Sequence, residues 1–393
     1  MNNKKCHFAP WPYFERKELY AVQKVLRSGK VNQWTGNEVY NFEGEYADYL
    51  GVKYAVALMN GSVALDVALL VLGIGPGDEV IVPSRTFLTT ASCIVLKGAI
   101  PMFADVDPDS GNVSLDSVKK VCTSKTKAVI AVHLAGWPCQ LDRLRDFCNL
   151  KGIYLVEDCA QAHGAKYKGR PVGSFGDVAC FSFCEDKIIT TGGEGGLLVT
   201  NNRDIWKTVW SFKDYGRDYD TVFNKKHSFG FRWLVKSAGT NYRMTEMQAT
   251  IGRVMLSRLD GWVKKRRKLA EILSTGFEKL FALRVTHPNE DYYHSYYKYY
   301  VYVQPARLRQ GWSRDRILQV LQGKGIPCSI GVCPEVYLEG LFKKLRRRKE
   351  ERLPVAKQLG ETSMMFLVHP TLNEDNMYYI LAEMQKILKK ATK

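Results

Sequence analysis

Lys187 stands inside CFSFCEDKIITTGGEGG (180–196), between the apolar residues Phe181, Phe183, Ile188 and Ile189 and a run of glycines. An amine held at a strand end and partly desolvated loses basicity and becomes a usable nucleophile. A lysine snorkelling to solvent from a strand terminus is the other reading. Asp158 follows an apolar run in GIYLVEDCAQAHGA, with Gln161 and His163 behind it. A carboxylate there is able to pair with a buried cation, or simply to cap the next turn. In MNGSVALDVALLVLG, Gly61 and Ser62 open an expected helix. Backbone amides at such a start suit an anion, phosphate above all, and Ser62 equally suits an N-cap. Ser182, in FSF, offers a hydroxyl to the same anion or bonds only to backbone. Phe87, in PSRTFLTT, has a face fit to cover a flat ring, or belongs to the core.

Bringing these residues together is the task of an alternating sheet-and-helix framework. Runs rich in β-formers recur at 54–58, 79–82, 101–105, 128–133, 152–157 and 178–183, and helical patterns separate most of them, among them 62–72 and 140–150. Such alternation predicts a largely parallel sheet covered by helices on both faces, with the ligand site at the carboxyl ends of its strands. From Met244 to about Phe281 a long helical pattern takes over, followed by the aromatic stretch DYYHSYYKYYVYV and a mixed α/β tail. A domain boundary is expected near residue 262.

The whole-chain figures narrow the classes of function. At 393 residues the chain suits two domains. With 46% hydrophobic and 25% charged residues it has ordinary globular composition, and no apolar run approaches the roughly 18 residues of a membrane span. The start, MNNKKCHFAPWPYF, lacks the apolar core of a secretory signal, which predicts a cytoplasmic protein. Ten cysteines without a C-x-x-C pair argue against a zinc site and a disulfide framework, and no metal is expected. The net charge of +17 is concentrated in KKRRK (264–268) and KKLRRRKEER (343–352), which read as solvated helix faces rather than as a nucleic-acid surface.

Four segments in order, GSVALDVALLVLGIGPGDEVIVPSRTF, EDCAQAHGAKYKGRPVGSFGDVACFSF, DKIITTGGEGGLLVT and GTNYRMTEMQATIGR, resemble the sugar aminotransferases of the DegT/DnrJ/EryC1/StrS family. The likeness spans about residues 8–262, with HPTL (369–372) as a fragment beyond it. It implies an α/β, aspartate-aminotransferase-like fold (fold type I) that binds pyridoxal 5′-phosphate (PLP). The large domain would cover 1–262, with an N-terminal arm 1–35 and a mostly parallel seven-stranded sheet; a smaller α/β domain would cover 263–393. By that resemblance Lys187 would carry the cofactor and move the proton, Asp158 would pair with the pyridine nitrogen, and Gln161 would lie against the ring's 3-hydroxyl. Gly61, Ser62, the Val63 amide and Ser182 would hold the phosphate, and Phe87 would stack on the ring. Asn241 would reach the phosphate from a neighbouring subunit, so that a homodimer shares its sites.

The implied reaction moves an amino group from glutamate to a nucleotide-linked keto-deoxysugar, for surface polysaccharide or lipopolysaccharide. A subgroup of the family has histidine in place of the lysine and performs dehydration; Lys187 points away from that branch. The intact set Lys187, Asp158, Gln161 and Ser182 argues against a non-catalytic binding protein on the same fold. Lys213, Arg217 and Arg232 are candidates for meeting the sugar diphosphate, with an exposed loop cation as the alternative for each. His163 reads as a satisfied histidine near the cofactor.

Overall fold

Along each strand of the main sheet, successive side chains bury into opposite layers. Ala55, Ala57, Val129, Ala131 and Leu155 join one apolar cluster, whereas Val56, Leu58, Ala128, Ile130, Val132 and Val156 join the other. Burial on both faces is what makes these strands continuous apolar runs rather than alternating ones. The computed structural model describes residues 6–345 and 352–393.

Seven strands form the sheet, in spatial order Tyr54–Leu58, Gly196–Thr200, Val178–Ser182, Tyr154–Asp158, Thr126–Val132, Glu79–Pro83 and Ile100–Ala104. All neighbours pair in parallel except Gly196–Thr200, which runs antiparallel to both of its own. The patterned runs omit this strand. Its register sets Gly196 opposite both Leu58 and Ser182. A Cβ on Gly196 would lie 2.2 Å from the Asn60 carbonyl oxygen, so only glycine lets the strand pass that close.

The helical pattern from Met244 resolves into two helices, Glu246–Leu256 and Leu259–Phe277. At the break the Ser257 hydroxyl donates to the Val254 carbonyl at 2.6 Å, a local bond that competes with continuing the helix. The second helix carries Leu259 and Val263 into the core of the main sheet. Its later residues Leu269, Ala270, Leu273 and Phe277 enter a separate core. That core lies against an antiparallel four-stranded sheet in the order Leu283–Arg284, Tyr299–Val303, Ser363–Phe366 and Cys328–Ser329.

The basic run 264–268 is only partly the solvated face expected of it. Lys264, Lys265 and Lys268 are exposed, but Arg266 is 1% exposed. Helical spacing explains the correction: Val263, Arg266, Ala270, Leu273 and Phe277 form the buried stripe, and the run of cations crosses it once. Of the second run, Lys343 and Lys344 end the helix Gly340–Leu345 and Arg352 pairs with Glu335, while 346–351 lie outside the described residues.

Candidate active site

The carboxyl ends of the parallel strands open on a cavity of about 730 Å³. Lys187, Asp158, Gln161, Gly61, Ser62, Ser182 and Phe87, drawn from separate stretches of sequence, all line it. The volume suits a ligand of cofactor size.

Asp158 is the last residue of its strand and is 5% exposed. Thr90 donates to its Oδ2 at 2.9 Å and the Ala160 amide donates to its Oδ1 at 3.1 Å. Burial holds its carboxyl above the usual range, against the opposing pull of these bonds and of the Lys187 charge. A buried carboxylate facing a cavity in this way favours a cationic ligand group.

At the other end, the helix Gly61–Val71 starts beside Ser182. A Cβ on Gly61 would fall 2.6 Å from the Ser182 Cβ, so glycine is required for the helix start to reach the strand. Asn60, not Ser62, caps this helix: its side chain accepts from the Val63 amide at 2.9 Å. The Val63 amide, expected to hold an anion, is therefore already bonded. What faces the cavity at this end is the helix start at Gly61 and Ser62 with the hydroxyls of Ser62, Ser182 and Thr89; the Ser62 hydroxyl lies 3.4 Å from Thr89 Oγ1.

Lys187 sits not in the strand but in the turn after it, between the buried residues Phe183, Ile188 and Ile189. Its Nζ donates to the Tyr297 hydroxyl at 3.3 Å and lies 3.5 Å from Asp186 Oδ1. Tyr297 in turn donates to Asp186 Oδ2, which Lys298 faces at 3.5 Å. The Lys187 carbonyl accepts from the Trp11 indole at 2.8 Å, fixing the backbone from outside. Gln161 accepts from the Ala135 amide at 2.8 Å. Phe87, at 61% exposed, belongs to the cavity mouth and not to the core.

His163 is buried with both ring nitrogens used. Nε2 faces the Ser182 carbonyl at 2.8 Å and so must carry the proton, leaving Nδ1 to accept from the Tyr46 hydroxyl at 2.7 Å. Burial pulls its pKa down to about 3, which leaves it neutral and unsuited to proton transfer. Asn241 is exposed and does not line this chain's cavity. Lys213, expected to meet a diphosphate, is instead 0% exposed at the end of the helix Arg203–Lys213, its Nζ 2.9 Å from Glu43 and 3.4 Å from the Ala57 carbonyl. The last turn tucks it under the first strand, out of reach of any diphosphate. Arg217 is half-buried, 3.1 Å from Asp214 and over the Trp34 ring, and Arg232 is exposed.

Tyr297 and Lys298, just before the strand Tyr299–Val303, and Tyr300 within it close the cavity together with Thr89 and Thr90, and none of these five was expected from the sequence. The signals were present, in DYYHSYYKYYVYV and in the TT after Phe87, but neither has a spacing that points to a site. Taken together, the cavity offers hydroxyls and a helix start to a phosphate, a carboxylate to a ring cation, an aromatic face, and an amine opposite a tyrosine. That donor set fits a flat phosphorylated pyridine bearing an aldehyde.

Comparison with known proteins agrees. The profile of the DegT/DnrJ/EryC1/StrS aminotransferase family matches residues 12–385. GDP-perosamine synthase of Escherichia coli O157:H7 is 32% identical over 369 residues, covering 94% of this chain and 95% of its own. Among solved structures, the aminotransferase from Psychrobacter cryohalolentis is 49% identical with a TM-score of 0.96, covering 98% of this chain and 99% of its own. DesV of S. venezuelae, solved with a ketimine intermediate, is 30% identical with a TM-score of 0.83, covering 95% of this chain and 94% of its own.

Proposed function

The chain belongs to the DegT/DnrJ/EryC1/StrS aminotransferase family, and on that premise we propose that it moves an amino group from glutamate to the ketone of a nucleotide-linked keto-deoxysugar. It is a sugar aminotransferase dependent on PLP. The product's destination in this reading is a surface polysaccharide such as lipopolysaccharide, and the reaction takes place in the cytoplasm. The observation that carries the proposal is the placement of Lys187 and the buried Asp158 in one cavity whose far end is the Gly61–Ser62 helix start beside Ser182.

When bound, PLP supplies an electron sink for the bond that breaks next to the transferred nitrogen. The remaining work falls to the chain. Asp158 would keep the pyridine nitrogen protonated, since a buried carboxylate gains most from a cation against it. Gly61, Ser62 and Ser182 would hold the phosphate, Phe87 would cover the ring, and Gln161, fixed by the Ala135 amide, would meet its hydroxyl. Lys187 would hold the cofactor through Nζ, and the same Nζ as a free amine would take up and return the substrate proton, one residue acting as anchor and acid/base. Asn241 lies outside its own cavity and serves that of a second copy, which makes the working form a homodimer.

The test is the absorbance spectrum of the purified protein and of Lys187→Ala, before and after addition of glutamate. Wild type should show a visible cofactor band that glutamate converts to the amine form. In Lys187→Ala the conversion should slow by at least ~10³-fold with the fold intact by circular dichroism. A wild-type band that no amino acid changes would overturn the proposed donor half-reaction.

A further inference from the structure

Lys187 shares its cavity with a second amine. Lys298, which precedes the strand Tyr299–Val303, lines the same space and keeps 18% of its side chain exposed. One carboxylate, Asp186, faces both amines: its Oδ1 lies 3.5 Å from Lys187 Nζ and its Oδ2 3.5 Å from Lys298 Nζ. The Tyr297 hydroxyl donates to the same Oδ2, and the two ammonium groups lie 4.9 and 4.6 Å from the centre of the Tyr297 ring. A carboxylate already shows, within this cavity, where a carboxylate fits between the reacting amine and its neighbour.

The cluster is short of negative charge. Asp186 is ionised: burial pushes its carboxyl up, but the Lys187 charge and the Tyr297 hydroxyl hold it below the usual range. That is one anion against two cations, and Asp158 already serves the ring nitrogen in the proposed reaction. Burial pulls the Lys298 pKa down, Asp186 resists, and the charges of the buried Arg266 and of Lys187 add to the fall. An ammonium so placed gains more from a further anion than one in open water does. Asp186 is also loosely held. Its two lysine contacts are longer than the ~2.8 Å of a charge-assisted hydrogen bond, and its side chain is half-exposed, so an incoming carboxylate can displace it from Lys298.

We infer that Lys298 is the ligand for the α-carboxylate of the amino donor, a place that Asp186 fills until the donor arrives. The inference rests on the aminotransferase reading above and deepens it, since it names the part of the donor that is recognised. In an amino acid the α-carboxylate is bonded to the carbon that bears the amine, about 3 Å from the nitrogen. Lys298, one carboxylate away from Lys187, stands where that group falls when the amine reacts beside Lys187. In a nucleotide-linked keto sugar the diphosphate and the ketone stand on different ring carbons, which sets the phosphates farther from the reacting carbon than Lys298 requires.

The test uses the PLP-loaded full-length protein and follows the absorbance change driven by L-glutamate and by 4-aminobutyrate, which is glutamate without its α-carboxylate. Lys298→Met keeps the length of the side chain and drops its charge. On glutamate the half-saturating concentration should rise ~20-fold with the maximal rate within ~3-fold of wild type, the pattern of a contact held alike before and during reaction. The second-order rate on 4-aminobutyrate should stay within ~2-fold. Calorimetric titration with L-2-methylglutamate, which has no α-proton to lose, should show the same ~20-fold weakening without turnover. Equal losses on both amines would mark a structural role and overturn the inference, and so would a loss confined to the sugar nucleotide. Should Lys298→Met fail to fold, Asp186→Asn decides: with the resident carboxylate gone, L-2-methylglutamate should bind ~5-fold more tightly, and unchanged or weaker binding removes the subsite. A wild type that no amino acid converts sinks the aminotransferase reading itself, whereas a Lys298→Met variant that uses glutamate as wild type does sinks only the subsite.

Discussion

The cavity around Lys187 has two walls of different construction. Toward the main sheet, Asp158, Gln161 and Ser182 each sit at or just past a strand end, and backbone amides fix them: Ala160 for Asp158, Ala135 for Gln161, and Cys184, whose amide donates to Ser182 at 3.3 Å. Toward the smaller sheet, Tyr297, Lys298 and Asp186 hold one another through side chains alone. Groups fixed by backbone at a rigid edge are pre-positioned, which is what stabilising developing charge requires. Groups fixed by one another can re-pair when a substrate arrives. The first wall is thus suited to chemistry, the second to placing and choosing what reacts.

The largest effect outside Lys187 should therefore fall on the first wall. Asp158→Asn keeps the shape and one acceptor oxygen for Thr90 or the Ala160 amide, but removes the negative charge proposed to face the ring nitrogen. The glutamate-driven spectral change should slow by ~10²–10³-fold, the cost of removing one preorganised electrostatic partner, while the resting cofactor band survives. A loss under ~3-fold would mean that the wall's charge is not what activates the ring.

That wall was also the legible one, for a physical reason. Lys187, Asp158, Ser182 and Gly61 are each placed by their own short stretch, a strand followed by a turn, and such local grammar is written in a few consecutive residues. The β-rich runs between helical patterns likewise showed six of the seven strands of the main sheet. The antiparallel strand Gly196–Thr200 escaped because its meaning lies in its register with Leu58 and Ser182, which no local pattern carries. The second wall escaped for the same reason at longer range: Tyr297 meets Asp186 across 111 residues, and Arg266 became buried through a helix stripe that a count of charges conceals. Lys213 was misjudged in the same way, as its partner Glu43 is 170 residues away.

Acid stability spans both sides of the comparison, because each holds a neutral buried histidine. Burial depresses the pKa of His163, behind the first wall, and of His369, behind the second, to about 3 in both cases. The unfolded chain binds these protons near pH 6.5 and the folded chain does not. The stability each contributes is therefore complete above about pH 6.5 and lost as pH falls toward about 3, at ~1.4 kcal/mol per pH unit. From pH 6.5 to 5 that is about 2 kcal/mol for His163. His163→Gln, able to keep both hydrogen bonds without titrating, should show a smaller drop in urea midpoint between pH 7 and pH 5 than wild type, with the His369 share remaining. Equal drops in the two proteins would show that His163 is not held neutral.

The smallest effect is expected at Tyr297, and it is the sharpest probe of the division between the walls. Its hydroxyl accepts from Lys187 Nζ and donates to Asp186, so Tyr297→Phe frees the amine on one side and unpairs the carboxylate on the other. The ring stays, and the packing around it with it. One hydrogen bond to a charged group, lost in a partly open cavity, should slow the spectral change by ~10-fold with little change in the glutamate concentration that half-saturates it. That pattern belongs to a residue that aims Lys187 without exchanging protons with substrate. A loss of ~10³-fold would instead place the Tyr297 hydroxyl in the proton path itself, and the second wall would then share the chemistry rather than only direct it.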